Sequence, residues 1–373
     1  VRVGFFTYGM DRSLSGIGRY TVELTRALRK LEPGLEVVLL NPYPHSELGW
    51  YREFETYAVP SLARVPLAAS LGNLVLHQAA RRLGLDILHD PCGIAPFLMP
   101  FAGYRRVTTI HDAVPLATPD LQPLATRLIF RTLVPWTRFS ADAVLTVSHH
   151  AAGDLERLAG IPRAKLHVTY NGVNPPPPMG EAEVQGVLER LGIEPPYFLY
   201  VGNLVARKNL PRLVRAFRLL RQDIPEARLV IVGAKQWKSH ELFRQDLTHV
   251  LVLGYVCDDD LHALYYGARA LAFPSLYEGF GIPAIEAMAH GTPVLTSSTS
   301  SLPEVVGEAA LLVDPTSVEA LREGLRRLWE DTGLRESLRQ KGLERARRFT
   351  WEKTARATLE VYRRLIDEGA PSA

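Results

Sequence analysis

Residues 1–7 (VRVGFFT) and 197–201 (YFLYV) are two largely apolar runs far apart in the chain. Each leads into a glycine-bearing turn and then into a segment with helical spacing. A strand that is apolar without alternation is buried on both faces, which happens where helices cover both sides of a parallel sheet. Parallel neighbours cannot be joined by hairpins and need crossover segments, so such strands force an alternating β–α order. Further runs of this kind fall at 35–40, 86–89, 106–110, 141–147 and 166–170, and again at 228–232, 250–253, 270–274 and 294–296. Four consecutive prolines at 175–178, stiff and extended, stand between the two series. With 373 residues the chain is too long for one ordinary core. The expected fold is α/β, with two doubly wound domains at residues 1–174 and 179–350 and a closing helix in 351–373. That helix carries Trp351, Ala355, Leu359, Tyr362 and Ile366 at helical spacing and must bury the stripe somewhere.

An apolar fraction of 47% and a charged fraction of 22% suit a globular chain in water. The opening residues read as a strand and not as a signal peptide, and no apolar stretch reaches bilayer-spanning length. Two distant cysteines, Cys92 and Cys257, suit a reducing, cytoplasmic setting without a disulfide framework. A net charge of +3, with no recognisable nucleic-acid module, speaks against a nucleic-acid partner.

The stretch that carries most chemistry is 277–294, YEGFGIPAIEAMAHGTPV. Gly279 and Gly281 permit tight turns and close approach of backbone to a ligand. Pro283 suits the start of a helix that runs over 284–290 and is closed by Gly291. The helix N-terminus then offers unpaired N–H groups and a positive dipole end to an anion such as phosphate. Glu278 and Glu286 would flank that anion, where they can accept hydrogen bonds from ribose or sugar hydroxyls. An ordinary strand–loop–helix with two solvated glutamates fits the same residues equally well.

Other candidates lie at strand ends. Gly16 and Gly18 follow the first strand, although Val22 stands near where a dinucleotide fingerprint needs its third glycine. Residues 41–66 are polar, aromatic and proline-rich and read as a loop with short elements. His111 follows the strand at 106–110, at the carboxyl end where open α/β sheets bind ligands, and a purely structural histidine reads the same way. Arg207 and Lys208, in the turn after 197–201, offer two cations to a phosphate. Asp258, Asp259 and Asp260 precede a helical run, so capping and dipole complementarity explain them better than a metal site. Over 123–139, Arg127, Arg131 and Arg138 form a basic stripe opposite Leu124, Leu128 and Ile129. Both a patch for anionic lipid headgroups and a solvated face fit it.

Together these pieces resemble the retaining glycosyltransferases of the GT-B fold, specifically glycosyltransferase family 4, over nearly the whole chain. Glu278 to Glu286 matches the family's E-x(7)-E signature, with GFG-x-P inside it. GIGRY at 16–20, His111-Asp112, YNGV at 170–173, RKN at 207–209, SLPEV at 301–305 and FTWEKTA at 349–355 follow in the family's order.

The resemblance implies two Rossmann-like domains facing across a cleft, with the final helix crossing back to the N-terminal one. It places the donor mainly on the C-terminal domain and the acceptor mainly on the N-terminal domain. Lys208, assisted by Arg207, would bind the donor diphosphate, and the backbone of Phe280, Gly281 and Ile282 would complete that site. Glu286 would accept from ribose hydroxyls and Glu278 from hydroxyls of the transferred sugar. His111 would lie near the reacting centre, and Gly16 and Gly18 would leave room for diphosphate or acceptor. Backbone near Tyr255 and Val256 would select the base. Many relatives carry an arginine where this chain has Asn203, which shifts weight onto Arg207. No cofactor and no metal are expected, because the cations and the helix N-terminus can meet the charge of the leaving group.

The implied activity is retaining transfer of a hexose, with mannose from GDP-mannose first in line, to a glycan or lipid-linked acceptor. Polysaccharide biosynthesis in the cytoplasm, with peripheral contact to an anionic membrane, goes with it. A UDP- or dTDP-sugar donor stays open, as do an epimerase or phosphorylase on this architecture and a non-catalytic nucleotide- or sugar-binding protein. A two-domain dehydrogenase is disfavoured by the incomplete glycine fingerprint.

Overall fold

A computed structural model describes residues 1–11, 14, 16–63, 72–95, 103–118, 124–234 and 247–369, without the side chains of 124–126, 129 and 133. The chain divides into two compact units, Val1–Gly172 together with Thr350–Ala373, and Val173–Phe349.

The first unit runs β1 (Arg2–Phe6), α1 (Gly16–Leu31), β2 (Glu36–Asn41), β3 (Glu55–Ala58), α2 (Gly72–Arg82), β4 (Ile87–Asp90) and β5 (Arg105–Thr109). It continues with α3 (Val114–Ala117), α4 (Leu124–Ser140), β6 (Ala143–Thr146), α5 (His149–Ala159) and β7 (Leu166–Val168). Its sheet is parallel, in the order β3-β2-β1-β4-β5-β6-β7.

The second unit runs α6 (Glu181–Arg190), β8 (Phe198–Val201), α7 (Leu210–Asp223), β9 (Leu229–Val232), β10 (Val250–Gly254), α8 (Asp258–Gly267) and β11 (Ala270–Phe273). There follow α9 (Ile282–Ala289), β12 (Val294–Ser297), α10 (Leu302–Val306), β13 (Leu311–Val313), α11 (Val318–Glu330) and α12 (Thr332–Ala346). Its sheet is also parallel, ordered β10-β9-β8-β11-β12-β13. Each order reverses between the first and fourth strands of its sheet, the switch point that defines a doubly wound fold.

The apolar runs behave as their composition requires. β4, β6, β8, β9, β11 and β12 are buried at every residue. β3 is the strand the pattern does not reveal. Its residues Glu55, Thr56, Tyr57 and Ala58 pair with Val38 to Asn41 at the sheet edge, where they stay largely exposed and need no apolar run. Residues 64–66 of that same region lie outside the described residues.

The closing helix α13 (Trp351–Asp367) belongs to the first unit and packs along α1. Ala355, Leu359, Val361, Tyr362 and Leu365 join one core with Val3, Phe5, Tyr20 and Leu24. Burial of Leu359, Val361 and Leu365 alone contributes about 5–9 kcal/mol as an upper bound. Thr350 caps the helix by accepting from the Lys353 N–H at 3.3 Å. A Cβ on Gly172 would stand 2.2 Å from the Trp351 nitrogen, so only glycine lets the two backbones touch there.

His89, at the end of β4, ties α13 to the sheet. Its Nδ1 bonds the Tyr362 hydroxyl and its Nε2 lies 2.7 Å from Thr109 Oγ1. Burial, reinforced by the nearby His111, pushes its pKa down to about 3. An unfolded chain titrates this group near ~6.5 and so binds a proton that the folded chain refuses between those values. The contribution is therefore intact above about pH 6.5 and is lost as pH falls toward about 3, at up to ~1.4 kcal/mol per pH unit. Denaturant titrations at several pH values should show this slope in the wild type and a shallower one in His89→Gln. An unchanged slope would assign the acid sensitivity to other groups.

Candidate active site

In the second unit the loops that follow β8 and β11, the two strands astride the switch point, bring the predicted charged residues together. Gly202 (φ 145°) and Gly233 (φ 149°) end β8 and β9, and a Cβ on Gly233 would stand 1.9 Å from the Gly202 carbonyl oxygen. Only glycines allow these loops to pass so closely. A single 3₁₀ turn, Ala206–Lys208, then presents the two cations. It is fixed by Asn209, which sits in the left-handed region (φ 62°) ahead of α7. The Asn209 side-chain amide donates to the carbonyls of Pro274 (3.0 Å) and Pro315 (2.7 Å).

Lys208 and Glu278 are both buried, with the ammonium 2.6 Å from Glu278 Oε1 and 4.5 Å from the centroid of the Phe273 ring. Arg207 Nη1 lies 3.0 Å from Glu278 Oε2 and donates to the Tyr277 carbonyl at 3.0 Å. Burial alone would raise the pKa of Glu278, but Lys208 and Arg207 hold it down to about 2. Two cations share one carboxylate, leaving an excess positive charge that is only partly reached by water.

The loop between Glu278 and α9 is pinned from the far side. The Glu278 N–H donates to Ser300 Oγ (3.1 Å), and Ser301 Oγ donates to the carbonyls of Glu278 (2.9 Å) and Phe280 (3.2 Å). The Phe280 ring packs edge-on against Phe349. Gly281 has φ 101°, and a Cβ there would meet Leu302 Cδ2 at 2.6 Å. The helix begins at Ile282, with Pro283 in its first turn. It starts two residues earlier than the sequence indicates, so Glu286 lies one turn in.

Glu286 is oriented by Tyr265, whose hydroxyl donates to Oε2 at 3.0 Å. Its carbonyl faces His290 Nδ1 at 2.7 Å, and His290 Nε2 faces His262 Nδ1 at 2.8 Å. A carbonyl only accepts, so His290 carries its proton on Nδ1 and receives one from His262 at Nε2. Burial, and then His262, keep His290 neutral, with a pKa of about 4 despite the opposing bond to the Glu286 carbonyl. Val256 is half-buried just beyond β10. Asp258, Asp259 and Asp260 occupy the first turn of α8, where the dipole favours them. The cap position itself belongs to Cys257, which makes no side-chain cap bond, so the capping role expected of the aspartates is not observed.

His111, Gly16 and Gly18 lie in the first unit, also at the carboxyl edge of the sheet. His111 follows β5, donates from Nε2 to the Pro91 carbonyl (2.9 Å) and stands nearly perpendicular to the Tyr20 ring, with centroids 4.7 Å apart. Burial lowers its pKa, so the neutral ring carries its proton on Nε2 and keeps Nδ1 as an acceptor. Gly16 and Gly18 fall inside the first turn of α1 and not in a preceding loop. A Cβ on Gly16 would meet nothing within 4 Å, whereas one on Gly18 would press on Leu14 at 3.1 Å.

Sequence reasoning overlooked Tyr265, Ser300 and the locking roles of Ser301 and Asn209. The last had a readable signal, since asparagine is among the few residues at home in the left-handed region. Replacing Glu278 by Gln leaves Lys208 buried without its counter-ion. A loss of about 3 kcal/mol is expected in denaturant titrations of that variant. A loss below ~1 kcal/mol would mean that the cluster relaxes into water.

Comparison with known proteins agrees with this geometry. Residues 14–177 match the family described as Glycosyltransferase Family 4, and residues 189–345 match Glycosyl transferases group 1. O-antigen chain mannosyltransferase B of Escherichia coli is 31% identical over 98% of this chain and 100% of its own. The MMP alpha-(1->4)-mannosyltransferase of Mycolicibacterium hassiacum is 28% identical, covering 98% of each chain. Among solved structures, sucrose-phosphate synthase from Thermosynechococcus elongatus superposes with a TM-score of 0.77 at 21% identity, covering 99% of this chain and 100% of that one. That last likeness concerns the fold alone. With two Rossmann-like units, both family matches and a full-length relative in agreement, the chain belongs to the GT-B glycosyltransferases of family 4.

Proposed function

We propose that this glycosyltransferase moves mannose from GDP-mannose to a hydroxyl of a glycan or lipid-linked acceptor, with retention at the anomeric carbon and without a metal. The observation that carries the reading is the Lys208–Arg207–Glu278 cluster beside the N-terminus of α9, an excess positive charge held at a switch point. The mannosyltransferase names of the full-length relatives support the choice of sugar.

As the glycosidic bond to the nucleotide breaks, negative charge grows on the departing diphosphate. Lys208, Arg207 and the first N–H groups of α9 are fixed before that charge develops, which is the condition for strong electrostatic stabilisation. Glu286, held by Tyr265, accepts from ribose hydroxyls. Glu278 keeps lone pairs beyond its two cation contacts for hydroxyls of the sugar. His111, in the first unit, keeps Nδ1 as an acceptor for a substrate hydroxyl. With a pKa of about 2, Glu278 is a poor base for the acceptor proton. In this reading the proton passes instead to a phosphate oxygen of the leaving diphosphate while the acceptor oxygen bonds to the same face of the sugar.

A thermal-shift panel of GDP, UDP, dTDP and ADP with their sugar conjugates tests the donor. GDP at a hundred times its dissociation constant should add about 2.7 kcal/mol of stability, undiminished by EDTA and lost in Lys208→Ala. The same substitution should slow turnover a hundredfold or more, roughly 3 kcal/mol of barrier. A shift by UDP or dTDP alone would replace the donor, and no shift by any nucleotide would remove the reading. Proton NMR of the product, taken before mutarotation, should show the donor's anomeric configuration. Inversion would exclude same-face attack.

A further inference from the structure

Asp90, the last residue of β4, carries a fully buried carboxyl that the transfer chemistry does not use. β4 lies beside β1 at the first unit's switch point, and its other neighbour is β5, the strand that His111 follows. The partners of Asp90 are backbone donors and one hydroxyl. Oδ1 accepts from the Cys92 N–H at 2.9 Å, and Oδ2 accepts from the N–H groups of Ile94 and Ala95, both at 2.7 Å. The Thr108 hydroxyl stands at the edge of reach, 3.5 Å from Oδ2. Burial pushes the Asp90 pKa up to about 6 in spite of these bonds. A carboxyl whose folded pKa stands above its unfolded value binds its proton better in the folded chain, so its ionised form at neutral pH opposes folding. The charge is kept at a cost in stability.

Three N–H groups converging on one carboxylate fold residues 91–95 back over the end of β4. Gly93 sits there in the left-handed region (φ 69°), and a Cβ on it would meet the Thr109 carbonyl oxygen at 3.2 Å. The loop thus presses on the end of β5, two residues before His111. On its other side the Cys92 thiol donates to the Tyr8 carbonyl at 3.2 Å. Held at these three points, the loop carries the Pro91 carbonyl to 2.9 Å from His111 Nε2. A carbonyl only accepts, and a neutral imidazole has one donor and one acceptor, so this contact commits the ring proton to Nε2 and makes Nδ1 the acceptor. We infer that Asp90 is a positioning residue for His111: by shaping the 91–95 loop it fixes which ring nitrogen carries the proton and where the accepting nitrogen points. An asparagine could not replace it, because its one oxygen would serve only part of the three donors and its NH2 group would face the rest. The use of Nδ1 toward a substrate hydroxyl rests on the proposed function, whereas the fixing of the ring does not.

Isotope-edited NMR of the histidine rings in the full chain tests this without any turnover. In the wild type the His111 ring should show one tautomer, protonated at Nε2, with that proton exchanging slowly enough with water to be observed. In Asp90→Asn the Nε2 proton should exchange about tenfold faster as its acceptor is lost. Turnover of GDP-mannose should fall roughly tenfold to a hundredfold as the contact is misplaced. Wild-type circular dichroism would exclude unfolding as the cause. Gly93→Ala leaves the carboxylate in place but strains the loop at its left-handed residue. It should reproduce the change at His111, and it stands in for Asp90→Asn if that variant does not fold. An unaltered His111 ring in either folded variant would overturn the inference. An altered ring with undiminished turnover would keep Asp90 in its positioning role and remove His111 from the reaction instead.

Discussion

Taking the Lys208 ammonium and the Glu278 carboxylate out of water costs several kcal/mol for each charge, and their attraction recovers that only in good geometry. Much of the second unit's local structure serves that condition. The carboxylate reaches both cations because the loops after β8 and β11 leave adjacent strands at the same edge. The loop after β8 passes close to the end of β9 because Gly202 and Gly233 have no side chains, and it is held to the loop after β11 because Asn209 bonds across to Pro274 and Pro315. Ser300 and Ser301 fix the backbone of the carboxylate from a third strand's loop. An arrangement over-determined in this way can hold a charge imbalance that a flexible loop would relax into solvent.

The two units use one topology for different electrostatics. At the second switch point the groups are charged and buried. In the first unit the two histidines at the carboxyl edge are neutral, His111 beside the Tyr20 ring and His89 bonded between Thr109 and Tyr362, while the buried Asp90 carboxyl accepts from the backbone N–H groups of Cys92, Ile94 and Ala95. Burial keeps both histidines uncharged there. The neutral His111 imidazole, its Nε2 proton committed to the Pro91 carbonyl, serves as an oriented dipole.

Much of this was legible because the strongest signals are physical necessities. Apolar strands without alternation demand a two-faced parallel sheet, and glycine–proline punctuation around Gly281 and Pro283 demands a turn into a helix. Glu278, Lys208 and Arg207 were readable as chemistry, but not as one cluster, since their contact depends on which strands end up adjacent. β3 was invisible because an exposed edge strand needs no apolar pattern. Tyr265 was invisible for a different reason: a tyrosine in a helix reads as core until the carboxylate beneath its hydroxyl is known. The aspartates in the first turn of α8 misled in detail, since a dipole attracts acids throughout that turn while only one position can cap.

The return of α13 to the first unit bears on how the chain is made. Residues 173–349 are continuous and can complete their core once they have emerged from the ribosome. The first 172 residues, although synthesised earlier, present Val3, Phe5 and Tyr20 to a helix that does not yet exist. The usual order of domain maturation, N-terminal first, is thereby inverted. The unit made first is sealed last, and its apolar surface stays open to chaperones for the time taken to translate everything in between.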